Sequence, residues 1–259
     1  MAAADNALLP RQRNLILGAL LLLAAGAWAV LIRQAGIGDG MAMGAGGLMM
    51  GMAAPLFLAI WIVMMVAMMF PTAAPMILMF AAIADGKHQR GQPFAPTWIF
   101  VSAYLLVWSL FGIVAYTLAL GAERLAAAAP WLVMHGAQVG GALLILAGIY
   151  QLLPLKQVCL AKCRSPLQFV LGSWRDGRGG AFRMGLAHGA YCLGCCWLLF
   201  LLLFPLGVMN IAAMAVLTAL IFAEKSLPAG RRIGQVAAAA LIIFGIVVLL
   251  LPAALPAVL

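Results

Sequence analysis

His188, Cys192, Cys195 and Cys196 place an imidazole and three sulfurs in the pattern H-x3-C-x2-C-C, within a segment that is otherwise apolar. At about 100° per residue, His188, Cys195 and Cys196 fall roughly 40–60° to either side of Cys192, so one helix face carries all four groups. Hydrocarbon has no use for such a face, whereas a soft metal ion or a thiol–disulfide couple does. Cys159 and Cys163 lie four residues apart and share a helical face of their own. Thiolate sulfur binds Cu(I), zinc and iron–sulfur clusters. Two separated cysteine pairs match a structural zinc pattern in rough form, though the spacing is that of no known zinc finger. Cysteine also serves as a small packing residue in membrane helices. Five of them, all between Cys159 and Cys196 and crowded with His188, favour chemistry over packing.

Methionine adds a second soft-donor set. Eleven of the sixteen methionines lie between Met41 and Met79. Met41 and Met43, followed by Met49, Met50 and Met52, are spaced by glycine and alanine in a stretch able to wrap an ion. Thioether sulfur favours Cu(I) and has no proton to lose, which suits an oxidising outer compartment. Met64, Met65, Met68 and Met69 form two i,i+4 pairs on the following helix. Their plain alternative role is flexible apolar filling. Glu224 is an ionisable residue near the end of a span and therefore a functional candidate by default. It could neutralise a cation, accept a proton, or pair with Arg183 or Lys225.

These residues need a bilayer scaffold. The chain of 259 residues is 67% hydrophobic and only 8% charged. Apolar runs longer than about 18 residues recur, the mark of an all-α polytopic membrane protein forming a single domain over 1–259. Seven helices are expected, at about Asn14–Ile32, Ala54–Ile83, Thr97–Leu120, Trp131–Leu153, Leu186–Phe204, Gly207–Ala223 and Arg232–Leu251. Six is the competing count. The first run is too long for a signal-peptide core and reads as a retained helix. Pro71 and Pro75 should kink or break the second helix.

The net charge of +9 reflects loop placement rather than a nucleic-acid partner. Thirteen of the fifteen Lys and Arg residues fall on one side of this topology, and only Arg33 and Arg124 on the other. The positive-inside rule then puts the N-terminus in the cytoplasm and the C-terminus outside, in a bacterial inner membrane. The methionine-rich stretch 34–53 becomes an outer loop. The basic stretch 154–185 becomes a cytoplasmic loop, with the region around Trp174 lying along the surface. The chain has no Walker loop, dinucleotide fingerprint or hydrolase constellation, and its three histidines are not paired for di-haem ligation.

The segments M-M-V-A-M-M-F-P (Met64–Pro71), P-L-K-Q-V-C-L-A-K-C-R-S-P (Pro154–Pro166), H-G-A-Y-C-L-G-C-C-W (His188–Trp197), G-V-M-N (Gly207–Asn210) and E-K (Glu224–Lys225) resemble a bacterial family of predicted metal-binding integral membrane proteins, a domain of unknown function. The resemblance covers most of the chain and implies metal binding without naming a metal or a reaction.

The residues point first to Cu(I) handling by uptake, relay or delivery. Met41, Met43, Met64, Met65, Met68 and Met69 would be thioether stations, His188, Cys192, Cys195 and Cys196 the main site, Cys159 and Cys163 a completing pair, and Glu224 a charge partner. A metallochaperone or a membrane enzyme would be the partner. A thiol–disulfide oxidoreductase using Cys192 and Cys195 is the enzymatic alternative. A structural or assembly subunit holding zinc is the third.

Overall fold

The computed structural model describes residues 10–39 and 51–254, and among these the chain is helical with no strands. The helices are α1 (Pro10–Asp39), α2 (Ala54–Gln89), α3 (Thr97–Ala128), α4 (Pro130–Met134), α5 (Gly136–Leu152), α6 (Pro154–Arg164), α7 (Pro166–Ser173), α8 (Gly177–Leu201), α9 (Leu203–Leu206), α10 (Ile211–Ser226) and α11 (Gly230–Leu250). Among the described residues five stretches are long and apolar enough to cross a membrane: Pro10–Gly36, Ala54–Gln89, Thr97–Ala128, Gly177–Leu206 and Gly230–Leu250. The count becomes six if α5 and α6, bent by 63° at their junction, form one broken span. The segment expected as a further span is α10. At 16 residues it reaches about 24 Å, short of a ~30 Å hydrocarbon core.

Helix α2 runs without a break through Pro71 and Pro75. A proline lacks the N–H that would bond the carbonyl four residues earlier. For Pro71 that carbonyl belongs to Ala67, and Trp28 of α1 donates its indole N–H to it at 3.1 Å. A neighbouring helix thus satisfies the acceptor that the proline leaves open, as membrane bundles require.

Close helix approaches rest on small residues. A Cβ placed on Gly148 of α5 would lie 2.8 Å from the Ala238 carbonyl oxygen of α11, and one on Gly245 would lie 2.7 Å from that of Gly141. Helices α3 and α8 are equally tight, since a Cβ on Gly185 would run into the Phe100 carbonyl oxygen. With no hydrophobic drive between apolar helices in lipid, such backbone proximity is what gains dispersion contact. Between α2 and α3 the Trp61 indole donates to the Trp108 carbonyl oxygen at 3.0 Å. Its ring fills the space that a Cβ on Gly112 would need, 2.5 Å from Trp61 Cδ1.

The stretch expected as a basic loop, 154–185, is mostly helical. Pro154 and Pro166 stand at the first positions of α6 and α7, where a missing N–H costs nothing. α8 begins at Gly177, nine residues before the expected start. The prolines that punctuate this stretch start helices there rather than leaving it open. α6 lies against α8 so closely that a Cβ on Gly194 would sit 2.8 Å from Cys159 Sγ. Tyr150 of α5 donates its hydroxyl to the Gly194 carbonyl at the same level.

Candidate metal centre

Four elements converge on Cys192, which is fully buried midway along α8. Lys225 of α10 donates from Nζ to the Cys192 sulfur at 3.0 Å. The Tyr104 hydroxyl of α3 is 3.1 Å from the same sulfur. The Thr72 hydroxyl of α2 lies 3.4 Å from Lys225 Nζ and donates to the Met69 carbonyl. Cys163 of α6 is buried and shares a cavity lining with His188 and Lys225. Cys195 and Cys196 both turn their thiols back onto the Cys192 carbonyl, at 3.0 and 2.8 Å. The Lys225 ammonium therefore sits directly against the Cys192 sulfur, with the buried Cys195 and Cys196 thiols bonded to the same residue's carbonyl. Thiolate is the form that ligates soft metals, and a buried ammonium is the counter-charge it needs.

His188 lies one turn before Cys192 and is 2% exposed. Its ring stacks between those of Phe100 and Tyr104, at centroid distances of 5.8 and 5.3 Å, with Phe169 tilted against it. Neither ring nitrogen has a hydrogen-bond partner. Buried polar atoms are nearly always paired, so an imidazole with both nitrogens unpaired calls for an explanation. The ring faces a cavity of about 180 Å³ whose wall also includes Cys163, Lys225, Thr72, Met76 and Arg164. The lining thus offers one imidazole, one thiol (Cys163) and one thioether (Met76), donor types that suit a soft metal ion. Among the described residues no three His, Cys, Asp or Glu side chains converge on a common ion position. Holding an ion there requires Cys195, Cys196 or Cys163 to rotate its thiol toward Cys192.

The structure thus brings His188, Cys192, Cys195, Cys196 and Cys163 together. Cys159 stands one turn away along α6, half-buried against Gly194. All five cysteines are free thiols. Met64, Met65, Met68 and Met69 are fully buried on α2. Only Met69 comes near the polar cluster, with its sulfur 3.9 Å from the Thr72 hydroxyl, while Met76 lines the cavity itself. Met41 and Met43 lie outside the described residues.

Glu224 faces away from the thiols. It accepts from Lys156 Nζ at 2.7 Å and from Gln151 Nε2 at 2.8 Å, all three side chains being buried. Neither partner foreseen for it, Arg183 or Lys225, is the one it takes. Consecutive helical residues point about 100° apart, so α10 sends Glu224 toward α5 and α6 and Lys225 toward α8. Sequence reasoning passed over Tyr104, Thr72 and Lys156, and treated Lys225 only as a mate for Glu224. Lys225 and Lys156 carried a usable signal, a lysine at the end of or between apolar segments. Tyr104 carried none, since a tyrosine in a membrane helix is ordinary.

Neither a curated protein nor a solved structure matches the chain. A family model described as PpoB2, copper chaperone, matches residues 58–248, a stretch that contains α3 to α10 and every described cysteine and histidine discussed above. The match covers well over half of the chain, which belongs to the PpoB2 family of copper chaperones.

Proposed function

We propose that this protein resides in a bacterial inner membrane and handles copper as Cu(I), holding it at Cys192 and passing it on. His188 and one or more of Cys163, Cys195 and Cys196 supply the remaining donors. The observation that carries this reading is the buried, unpartnered imidazole of His188 beside a cavity shared with Cys163 and Lys225. Large apolar side chains line the outward helix faces, including Leu22, Trp98, Leu118, Leu146, Val236 and Ile243, as a bilayer-embedded bundle demands. In this reading the cavity side of the bundle faces the cytoplasm, supported by the excess of Lys and Arg at that end under the positive-inside rule.

In this reading the outer methionines, Met41 and Met43, collect Cu(I). Met64, Met65, Met68 and Met69 offer weak thioether stations along α2. The thiols retain the ion, because thiolate binds Cu(I) more tightly than thioether does. Lys225 keeps the charge of the thiol cluster compensated before the ion arrives, and Glu224, locked to Lys156, holds α6 and its Cys163 in place. The recipient is a metallochaperone or a membrane enzyme. The copper site is a binding site, with no catalytic residue assigned.

The test is metal content by mass spectrometry on protein purified anaerobically in detergent, next to a Cys192→Ser/Cys195→Ser double variant. About one copper per chain in the parent, lost in the variant, is the expected result for a single soft-ligand site. Zinc in place of copper would overturn the assignment in favour of a structural role. Absence of metal from both, with a reducible Cys192–Cys195 disulfide, would overturn it in favour of thiol–disulfide exchange.

A further inference from the structure

The cavity beside His188 has the wrong charge for a bare cation. Its lining residues include Lys225 and Arg164 and no Asp or Glu. The nearest carboxylate, Glu224, is turned away into its pair with Lys156. Arg164 is fixed at the wall by donating to the Leu227 and Pro228 carbonyl oxygens. Lys162, Arg231 and Arg232 are exposed on the same α6 and α11 ends. With Lys225 paired to the Cys192 sulfur, Arg164 and these exposed Lys and Arg side chains set the charge at the approach, where a free Cu(I) ion meets repulsion and an anion is drawn in. The same wall offers Cys163, Met76 and His188, which are ligands for copper rather than for a simple anion. At about 180 Å³ the space suits a small molecule and not a protein loop.

We infer that copper crosses this cavity as an anionic bis-thiolate complex of a small acidic thiol, so that the cavity is a docking site for a carrier molecule as well as for the metal. The inference rests on the Cu(I) reading above and adds the chemical class of the exchange partner. The transfer is a ligand exchange without redox change. Cys192 sulfur and a His188 nitrogen form bonds to Cu(I) as the two carrier sulfur–copper bonds break. Both carrier thiolates leave as anions. Counted on the CuS2 core, its one negative charge and the one on Cys192 become two on the departing thiolate sulfurs, while the carrier carboxylates keep their charges throughout. Lys225 and Arg164 are placed to hold those thiolates as they go.

The test compares two carriers of matched size and sulfur chemistry but opposite charge. Apo-protein in detergent, kept anaerobic, is mixed with Cu(I) complexed by 3-mercaptopropionate, which is anionic, or by cysteamine, which is cationic. The rate and final amount of copper retained are read after rapid desalting. Loading from the mercaptopropionate complex is expected to be at least about tenfold faster at low salt, with the difference collapsing near 0.5 M salt. Ser226 is an exposed residue at the cavity wall, so changing it spares the packed interior. Ser226→Asp should slow loading from mercaptopropionate and speed it from cysteamine, and Ser226→Lys should do the reverse, with the final copper content unchanged. Equal rates from the two carriers, or no response to either Ser226 variant, would overturn the inference while leaving the copper site standing. Failure of the unaltered protein to retain copper from any carrier would overturn the Cu(I) reading itself, and this inference with it.

Discussion

Replacing Lys156 by methionine should destabilise the protein far more than its position at the start of a short helix suggests. Its ammonium is 1% exposed and bonds Glu224 at 2.7 Å, while the Glu224 side chain is 2% exposed. In Lys156→Met the carboxylate keeps only the Gln151 amide and is otherwise left in an apolar interior. Removing one partner of a buried ion pair costs about 3–5 kcal/mol. At about 2–4 °C per kcal/mol for a chain of this size, the melting temperature should fall by roughly 6–20 °C. The pair itself contributes much less than that, because both charges were desolvated to form it. The double variant Lys156→Met/Glu224→Leu should therefore recover to within about 1–2 kcal/mol of the parent. Thermal unfolding in detergent, followed by tryptophan fluorescence and by size-exclusion recovery, measures all three proteins. The single variant should also bind copper more weakly, since α6 carries both Lys156 and Cys163. An unshifted melting temperature in Lys156→Met would refute the reasoning, as would a double variant no more stable than the single one.

Trp28→Phe removes the donor that satisfies Ala67, whose carbonyl Pro71 leaves open. It should cost about 1–3 kcal/mol, the usual range for an abandoned buried acceptor. Pro71→Ala restores a backbone N–H to that carbonyl, so adding it to Trp28→Phe should cancel most of the loss; strictly additive costs would show that the two are unconnected. Thiol labelling under reducing, anaerobic conditions should modify Cys159 first, because it is half-buried while Cys163, Cys192, Cys195 and Cys196 are buried. Mass mapping of the first-labelled site checks this, and prior loading with Cu(I) should further protect the four buried thiols but not Cys159. Early labelling of Cys192 in the apo-protein would contradict the packing described.

Much was determined by the sequence itself. Long apolar runs leave a chain no choice but helices in a bilayer, because every backbone group must be satisfied within its own segment. The i, i+4, i+7, i+8 spacing from His188 to Cys196 puts those groups on one face by helix geometry alone, and all four are buried. Boundaries near prolines were less legible. Pro154 and Pro166 start α6 and α7, while Pro71 and Pro75 sit inside an unbroken α2. A proline tells only that an N–H is missing, and whether a neighbour such as Trp28 meets the freed carbonyl is a tertiary matter. The helix expected at Gly207–Ala223 is found as α10, Ile211–Ser226: its length was legible, while its ends moved along the chain because hydropathy does not register where a helix starts and stops within the bundle.

Only the tertiary structure decided what surrounds Cys192. Tyr104 lies 88 residues from it in sequence, Lys225 lies 33 away, and Thr72 is 153 from Lys225. Helical periodicity relates residues a few positions apart on one helix, and is silent on which face of α3, α6 or α10 will meet α8. For α3 and α6 that choice is shaped at Gly185, Gly189 and Gly194, where an added Cβ would run into the Phe100 carbonyl, the Val107 side chain and the Cys159 sulfur respectively. The same packing turned Glu224 toward Lys156 and Lys225 toward the thiols. A sequence shows two adjacent charges, and only the helices that pack on either side of α10 decide which of them meets the Cys192 sulfur and which pairs with Lys156.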